Sequence, residues 1–339
     1  TQLPEVINQE SYKTNWIHIY IKDSLFSTSD AANTIYGLNK DDRGNQTHIT
    51  IDAFMNMKVI RRTISDYLQI ARKSRELSYD IANTNQQKGY LWPLFSEDWS
   101  ESNLGRTAII NSLIINLFEE AMSELPRQRV GFYLQENLGW ETALIHAWKS
   151  AGNGELIGVT HSTIRFWDLR YFCDGRVFER SPEINPMLTP DLVALNGNAA
   201  REYYLKSGYP PNSIVIVEAL RYQYLNKRKF SPGKIKSRTE SLRMLVLGDY
   251  LAHNANLMLK LLEAAVANMK AGLEITFKPH PSSDIQIEDY PGLVMKKTGE
   301  PIEKLLYNCD LAYTSTATSA VVDAYLTGVP VVSFVDPRR

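Results

Sequence analysis

From residue 130 onward, short apolar runs alternate with stretches of helical spacing. Runs at 130–134, 156–160, 192–195 and 214–217 read as strands, with helices predicted over 140–150 and 198–207. A second series has strands at 243–247, 275–277, 293–295, 311–313 and 331–335, and helices over 254–269, 301–308 and 319–326. Gly152, Gly208-Tyr-Pro-Pro211 and Gly328-Val-Pro330 punctuate the elements as turns. Strands alternating with short helices predict parallel sheets joined by right-handed crossovers. Upstream, a strand is predicted at 16–22, a long helix at 51–77, and another helix at 107–125 closed by Pro126.

One segment breaks the alternation. Residues 226–240 hold Lys227, Arg228, Lys229, Lys234, Lys236 and Arg238 around Pro232 and Gly233. This reads as a linker between an N-terminal domain, 1–225, and a C-terminal domain, 241–339. The length of 339 residues agrees with two domains at roughly 100–200 residues each. The expected fold class is therefore α/β, with two Rossmann-like domains facing across a cleft. In such sheets ligands sit outside the carboxyl ends of the strands.

Composition adds limits. Hydrophobic residues make up 44% and charged residues 22%, and the net charge is −1. No global field then recruits nucleic acid, and no nucleic-acid partner is expected. The basic linker reads either as a solvated loop or as a patch for an anionic lipid or acceptor, each basic residue contributing ~1 kcal/mol. Cys173 and Cys309 lack metal spacing and fit a reducing compartment. No apolar run approaches the ~20 residues of a bilayer span. The expected location is the cytoplasm, with peripheral contact at the inner membrane through the linker. The chain starts with Thr1 and stops directly after an apolar run, which reads as a trimmed piece.

Candidate chemistry lies at the predicted strand tips. The strand 275–277 runs into Lys278-Pro279-His280-Pro281, which presents an imidazole and an ammonium to a phosphate or nucleotide. The strand 311–313 runs into Thr314-Ser315-Thr316-Ala317-Thr318-Ser319, five hydroxyls in six residues at a helix start. Free N–H groups, the helix dipole and hydroxyls together suit an anion; plain N-capping is the alternative. Gly248-Asp249-Tyr250 follows the strand 243–247: Gly248 permits close backbone approach, and Asp249 is a nucleophile, a base or a helix cap. In the first domain, Gln135-Glu136-Asn137 offers Glu136 as a general base. His161 and Arg165 either hold an anionic sugar or acceptor or make structural hydrogen bonds at a strand end, and Asn196-Gly197-Asn198 reads as a helix cap.

Lys278-Pro-His280-Pro, followed about 35 residues later by Ser315-Thr-Ala-Thr-Ser319, resembles the paired HP and Ser/Thr motifs of bacterial GT-B transferases with cytidine-activated donors. These include sialyltransferases, Kdo transferases of capsule and lipopolysaccharide, and polyol-phosphate transferases. The match covers about residues 243–335. The resemblance implies a metal-independent glycosyltransferase with no cofactor beyond its CMP-sugar donor. It implies that His280 contacts the CMP moiety while Ser315, Thr316, Thr318 and Ser319 hold its phosphate. The implied acceptor is a glycan or lipid-linked glycan. The short acidic-plus-Gly motif of the sialyltransferases is missing, and Glu136 stands in for it. Asp249, about 30 residues before His280, matches the place of the Kdo-transferase nucleophile. Glu303 near the last helix keeps a UDP- or GDP-sugar donor open, as ribose ligand. A CDP-polyol phosphotransferase, a nucleotide-sugar epimerase and a non-catalytic scaffold subunit are the other readings.

Overall fold

The computed structural model describes residues 12–21, 27–41, 45–88, 92–160, 164, 169–179, 185–219, 222, 225, 241–269, 272–283, 285–316 and 318–335. The expected linker, 226–240, and the candidates His161 and Arg165 lie outside the described residues. The chain divides into two compact α/β units. Unit 1 holds Thr1–Thr160 and Ile164–Val217, and unit 2 holds Glu218–Arg339.

Unit 1 begins with β1 (Thr14–His18), α1 (Thr28–Asp41) and β2 (Gln46–Thr50), followed by α2 (Met57–Lys88), α3 (Trp92–Asn103) and α4 (Arg106–Glu124). β1 and β2 form a parallel pair. Its alternating ties are Trp16 Nε1 donating to Gln46 Oε1 at 2.9 Å and a His18–His48 ring contact at 3.0 Å. The order continues with β3 (Val130–Leu134), α5 (Gly139–Ser150), β4 (Glu155–Val159), β5 (Leu192–Leu195), α6 (Asn198–Lys206) and β6 (Ile214–Ile216). β3–β6 make a parallel sheet in simple sequence order. With right-handed crossovers, that order places all three connections on one face.

α4 packs against α2 and α5 because its apolar residues recur at helical spacing. Leu117, Phe118 and Ala121 meet Val59 of α2 and Ala147 and Trp148 of α5 in one buried cluster. The helix stops where Leu125 turns to extended backbone ahead of Pro126. Polar side chains fix the α2–α4 pairing: Lys58 and Asn56 both reach Glu120, and Asn116 donates to Asp66 at 2.7 Å.

Unit 2 contains β7 (Leu242–Leu247), α7 (Ala252–Val266), β8 (Leu273–Lys278), β9 (Met295–Lys297), α8 (Ile302–Leu305), β10 (Leu311–Ser315), α9 (Ala320–Leu326) and β11 (Val331–Phe334). Its sheet is parallel throughout, in the order β11-β10-β7-β8-β9. The central strands are apolar almost end to end because both faces are covered. Leu245 and Val246 of β7 and Phe277 of β8 are buried to 1% exposure or less. This is the doubly wound order: the chain moves outward from β7 one way, then returns to place β10 on the other side. The switch point falls between β7 and β10. Among the described residues no helix is long and apolar enough to cross a membrane.

Candidate functional site

Three strand ends meet around the switch point of unit 2. Gly248 follows β7, and its N–H donates to the Lys278 carbonyl at the end of β8 at 2.9 Å. A Cβ at Gly248 would stand 3.1 Å from His280 N and 3.2 Å from the Pro279 Cα. Gly248 thus admits close backbone approach, and the backbone that approaches is the chain's own loop. Lys278 is half-buried as the last residue of β8, and Pro281 is exposed at the turn.

His280 is held from two sides. Its Nδ1 lies 2.7 Å from Ser282 Oγ, and Ser282 Oγ lies 3.0 Å from the Tyr250 carbonyl. The Tyr250 ring meets the imidazole edge-on, with centroids 6.3 Å apart. Burial pushes the imidazole below its usual pKa of 6.5, while Asp249 pulls it back up. Ser283, next in the loop, is buried with its Oγ lacking a hydrogen-bond partner.

Asp249 is fully buried. One carboxylate oxygen accepts the Leu251 N–H at 2.8 Å, and the other accepts Ser315 Oγ–H at 2.5 Å and Asn254 Nδ2–H at 3.4 Å. Those bonds fix the turn that leads into α7 and tie the tip of β7 to the tip of β10 across the switch point. A role for Asp249 as nucleophile would need one of these oxygens open to substrate.

The hydroxyl run divides between strand and loop. Thr314 and Ser315 are the buried last residues of β10, and Ser315 is spent on Asp249. Thr316 is exposed beyond the strand, with its N–H donating to the Phe334 carbonyl at 3.1 Å. Thr318 Oγ1 accepts the Ala320 N–H at 3.3 Å, the capping geometry at the start of α9. Ser319, the N-cap residue, makes no side-chain cap bond. Glu303 is exposed on α8, in the connection leading into β10.

In unit 1, the loop after β3 wraps a carboxylate that belongs to no motif. Glu141 of α5 is buried to 2% exposure and accepts the N–H groups of Glu136, Asn137 and Leu138 at 2.8, 3.1 and 3.0 Å. Asn137 adopts a left-handed φ of 57° to close the curve, a conformation asparagine tolerates. Burial pushes the Glu141 carboxyl above its ordinary range, while the three N–H groups pull it down. Glu136 itself is half-buried at the loop's start. Gly197, at φ 148°, precedes α6 as its N-cap, as expected for Asn196-Gly197-Asn198. Glu141 was readable as an acidic residue in the first helical turn. Ser282 carried a weaker signal, standing two residues after His280 in a polar turn.

Each unit is thus an α/β fold on a parallel sheet, and unit 2 has the strand order of nucleotide-binding sheets. The sequence matches no protein-family profile and no curated protein. Among solved structures, the chain is similar to UDP-N-acetylglucosamine 2-epimerase from Rickettsia bellii, with 13% identity and a TM-score of 0.46 over 94% of this chain and 78% of that one. At this level the likeness transfers no activity.

Proposed function

We propose that the chain is a nucleotide-sugar enzyme whose unit 2 seats the nucleotide outside the tips of β7, β8 and β10. One observation carries the reading: His280, Gly248, Thr316, Thr318 and Ser319 follow three strands that adjoin the switch point of a doubly wound sheet, where such folds bind ligands. The imidazole, braced by Ser282, donates to a phosphate when protonated, and Lys278 supplies charge at the same strand end. Thr316 and Ser319 offer hydroxyls, and Asp249 holds the two central strand tips in register.

Within that class, the His-Pro and Ser/Thr motifs favour a transferase moving an acidic sugar, of the Kdo or nonulosonic type, from a CMP donor to a surface glycan. A leaving CMP gains negative charge, which the β8 loop and the β10 loop would stabilise. Glu136 is the base that would take the proton from the acceptor hydroxyl. The burial of Asp249 supports direct displacement by the acceptor over a covalent intermediate on that residue.

Thermal denaturation with CMP, CDP, UDP and GDP tests the donor. CMP or CDP should raise the melting temperature; stabilisation by UDP or GDP alone would replace the cytidine reading with the other donors, and by none of the four would sink the nucleotide site. Consumption of a CMP-sugar that requires an added glycan acceptor marks a transferase. Interconversion of a nucleotide sugar without acceptor marks an epimerase. A CDP-polyol consumed with polyol phosphate transfer marks the phosphotransferase, and binding without turnover marks the scaffold.

A further inference from the structure

The β4–β5 connection of unit 1 contains two short 3-10 turns, Leu169–Tyr171 and Gly175–Phe178, among its described residues. Under it lies a cavity of about 160 Å³. An engineered apolar cavity of about 150 Å³ binds benzene, which sets the scale of one ring. The cavity is walled by Tyr133, Tyr171, Tyr204 and Tyr209, with Gln135 and Thr189 among its polar groups.

One buried polar atom in this wall lacks a partner, and a second is held only loosely. Gln135 is 2% exposed; its Nε2 donates to Asn137 and lies 3.3 Å from the Tyr204 hydroxyl, but its Oε1 accepts nothing. The Tyr209 hydroxyl, beside Thr189, makes no hydrogen bond of normal geometry, although Tyr209 is 6% exposed. Leaving such groups unpaired is costly, and a polar cavity of this size invites a hydrogen-bonding occupant. Gly158 of β4 leaves room for the Gln135 side chain: a Cβ there would fall 1.9 Å from Gln135 Oε1 and 3.0 Å from the Tyr133 hydroxyl.

The wall chemistry selects the occupant. Burial pushes the phenols of Tyr133, Tyr204 and Tyr209 well above their ordinary range, so they stay neutral donors. The Glu141 carboxylate at the edge is answered by three backbone N–H groups. No unanswered anion then calls for a cationic guest. The rings meet at steep angles: Tyr204–Tyr209 at 70°, Phe178–Tyr209 at 66° and Tyr171–Tyr204 at 60°. They form no parallel slot for a flat base, but they offer faces and edges to a puckered ring with C–H and O–H groups.

We infer that this cavity is a binding site for a neutral pyranose-sized sugar ring, with Gln135 Oε1 accepting from a ring hydroxyl and Tyr209 pairing with another. The inference is independent of the nucleotide reading of unit 2. Saturation-transfer NMR on the full chain would use methyl α-D-glucopyranoside, methyl α-D-galactopyranoside, methyl α-D-mannopyranoside, N-acetyl-D-glucosamine and, separately, adenosine. At least one sugar should receive saturation, and Gln135→Leu and Tyr209→Phe should each weaken it at least tenfold. Both variants should keep the wild-type indole N–H signal of Trp148, which donates to the Gly154 carbonyl at 2.7 Å in the same unit and so reports that unit 1 folds. Saturation of none of the sugars, of adenosine alone, or of a sugar equally in both variants would overturn the inference; the first result means that the cavity holds ordered water only.

Discussion

The two units use the same strand–helix alternation and arrive at different kinds of site. In unit 1 the strands follow one another as β3-β4-β5-β6, so no strand order reverses, and a cavity lies under the β4–β5 connection. In unit 2 the order reverses between β7 and β10, and the loops after them diverge around the switch point. Alternation alone therefore says which residues stand at strand tips. Strand order says which tips share a site.

The largest effect that would sharpen this contrast concerns Asp249. Asp249→Ala leaves Ser315 Oγ, the Leu251 N–H and Asn254 Nδ2 without their carboxylate, and should cost about 2–4 kcal/mol of stability in chemical denaturation. Asp249→Asn, which keeps an oxygen acceptor, should cost less than half as much. If the alanine variant unfolds like wild type, the two tips are not tied as described.

Gly248→Ala comes next. Its Cβ presses on the backbone of Pro279 and His280, and overpacking of this kind costs about 1–3 kcal/mol. It should weaken CMP binding along with stability, since the approaching loop carries the imidazole. Unchanged CMP affinity in a destabilised Gly248→Ala would separate the β8 loop from the nucleotide site.

His280→Gln should lower CMP affinity about tenfold, or ~1.4 kcal/mol, with little change in melting temperature. The pH dependence gives a sharper reading. The folded pKa of His280 lies below its ordinary 6.5, so the stability it contributes is full above pH 6.5 and is lost as pH falls through the lower folded value. A bound phosphate favours the protonated ring, so CMP affinity should rise as pH drops through this window. Calorimetry at stepped pH checks this, and His280→Gln should flatten the profile.

Thr318→Ala is the smallest effect, about 1 kcal/mol for the loss of a cap at α9. The same substitution should leave the sugar-binding signals of unit 1 unchanged.

Much of the fold was legible because parallel strands covered on both faces are continuous apolar runs. Leu192–Leu195 is the plainest case in unit 1. β2 escaped notice because Gln-Thr-His-Ile-Thr carries one aliphatic residue, and its pairing relies on side chains such as Gln46 and His48. α3 escaped although Trp92, Phe95 and Trp99 recur at helical spacing, because the rest of the helix is polar and none of its described residues is buried. The long helix predicted at 51–77 instead opens with a separate 3-10 turn, Ile51–Phe54, and α2 runs on to Lys88 through polar residues that periodicity cannot see.

The candidate site divides in the same way. His280 and the hydroxyl run could be read at strand tips because the motifs are local. The Asp249–Ser315 bond could not, since its partners are 66 residues apart and meet only because β10 returns beside β7. That return also moves Thr314 and Ser315 from the expected loop into the strand. Glu141 was readable only as an acidic residue of a first helical turn, because the backbone N–H groups it accepts leave no side-chain pattern.

The most direct measurement follows the imidazole signals of the chain's six histidines by NMR as CMP is added. The account predicts that the His280 ring shifts and its titration midpoint moves upward, while His146 of unit 1, bonded to Glu119, stays in place. Saturating CMP with the His280 signals unmoved would contradict the claim that unit 2 seats the nucleotide at its switch point.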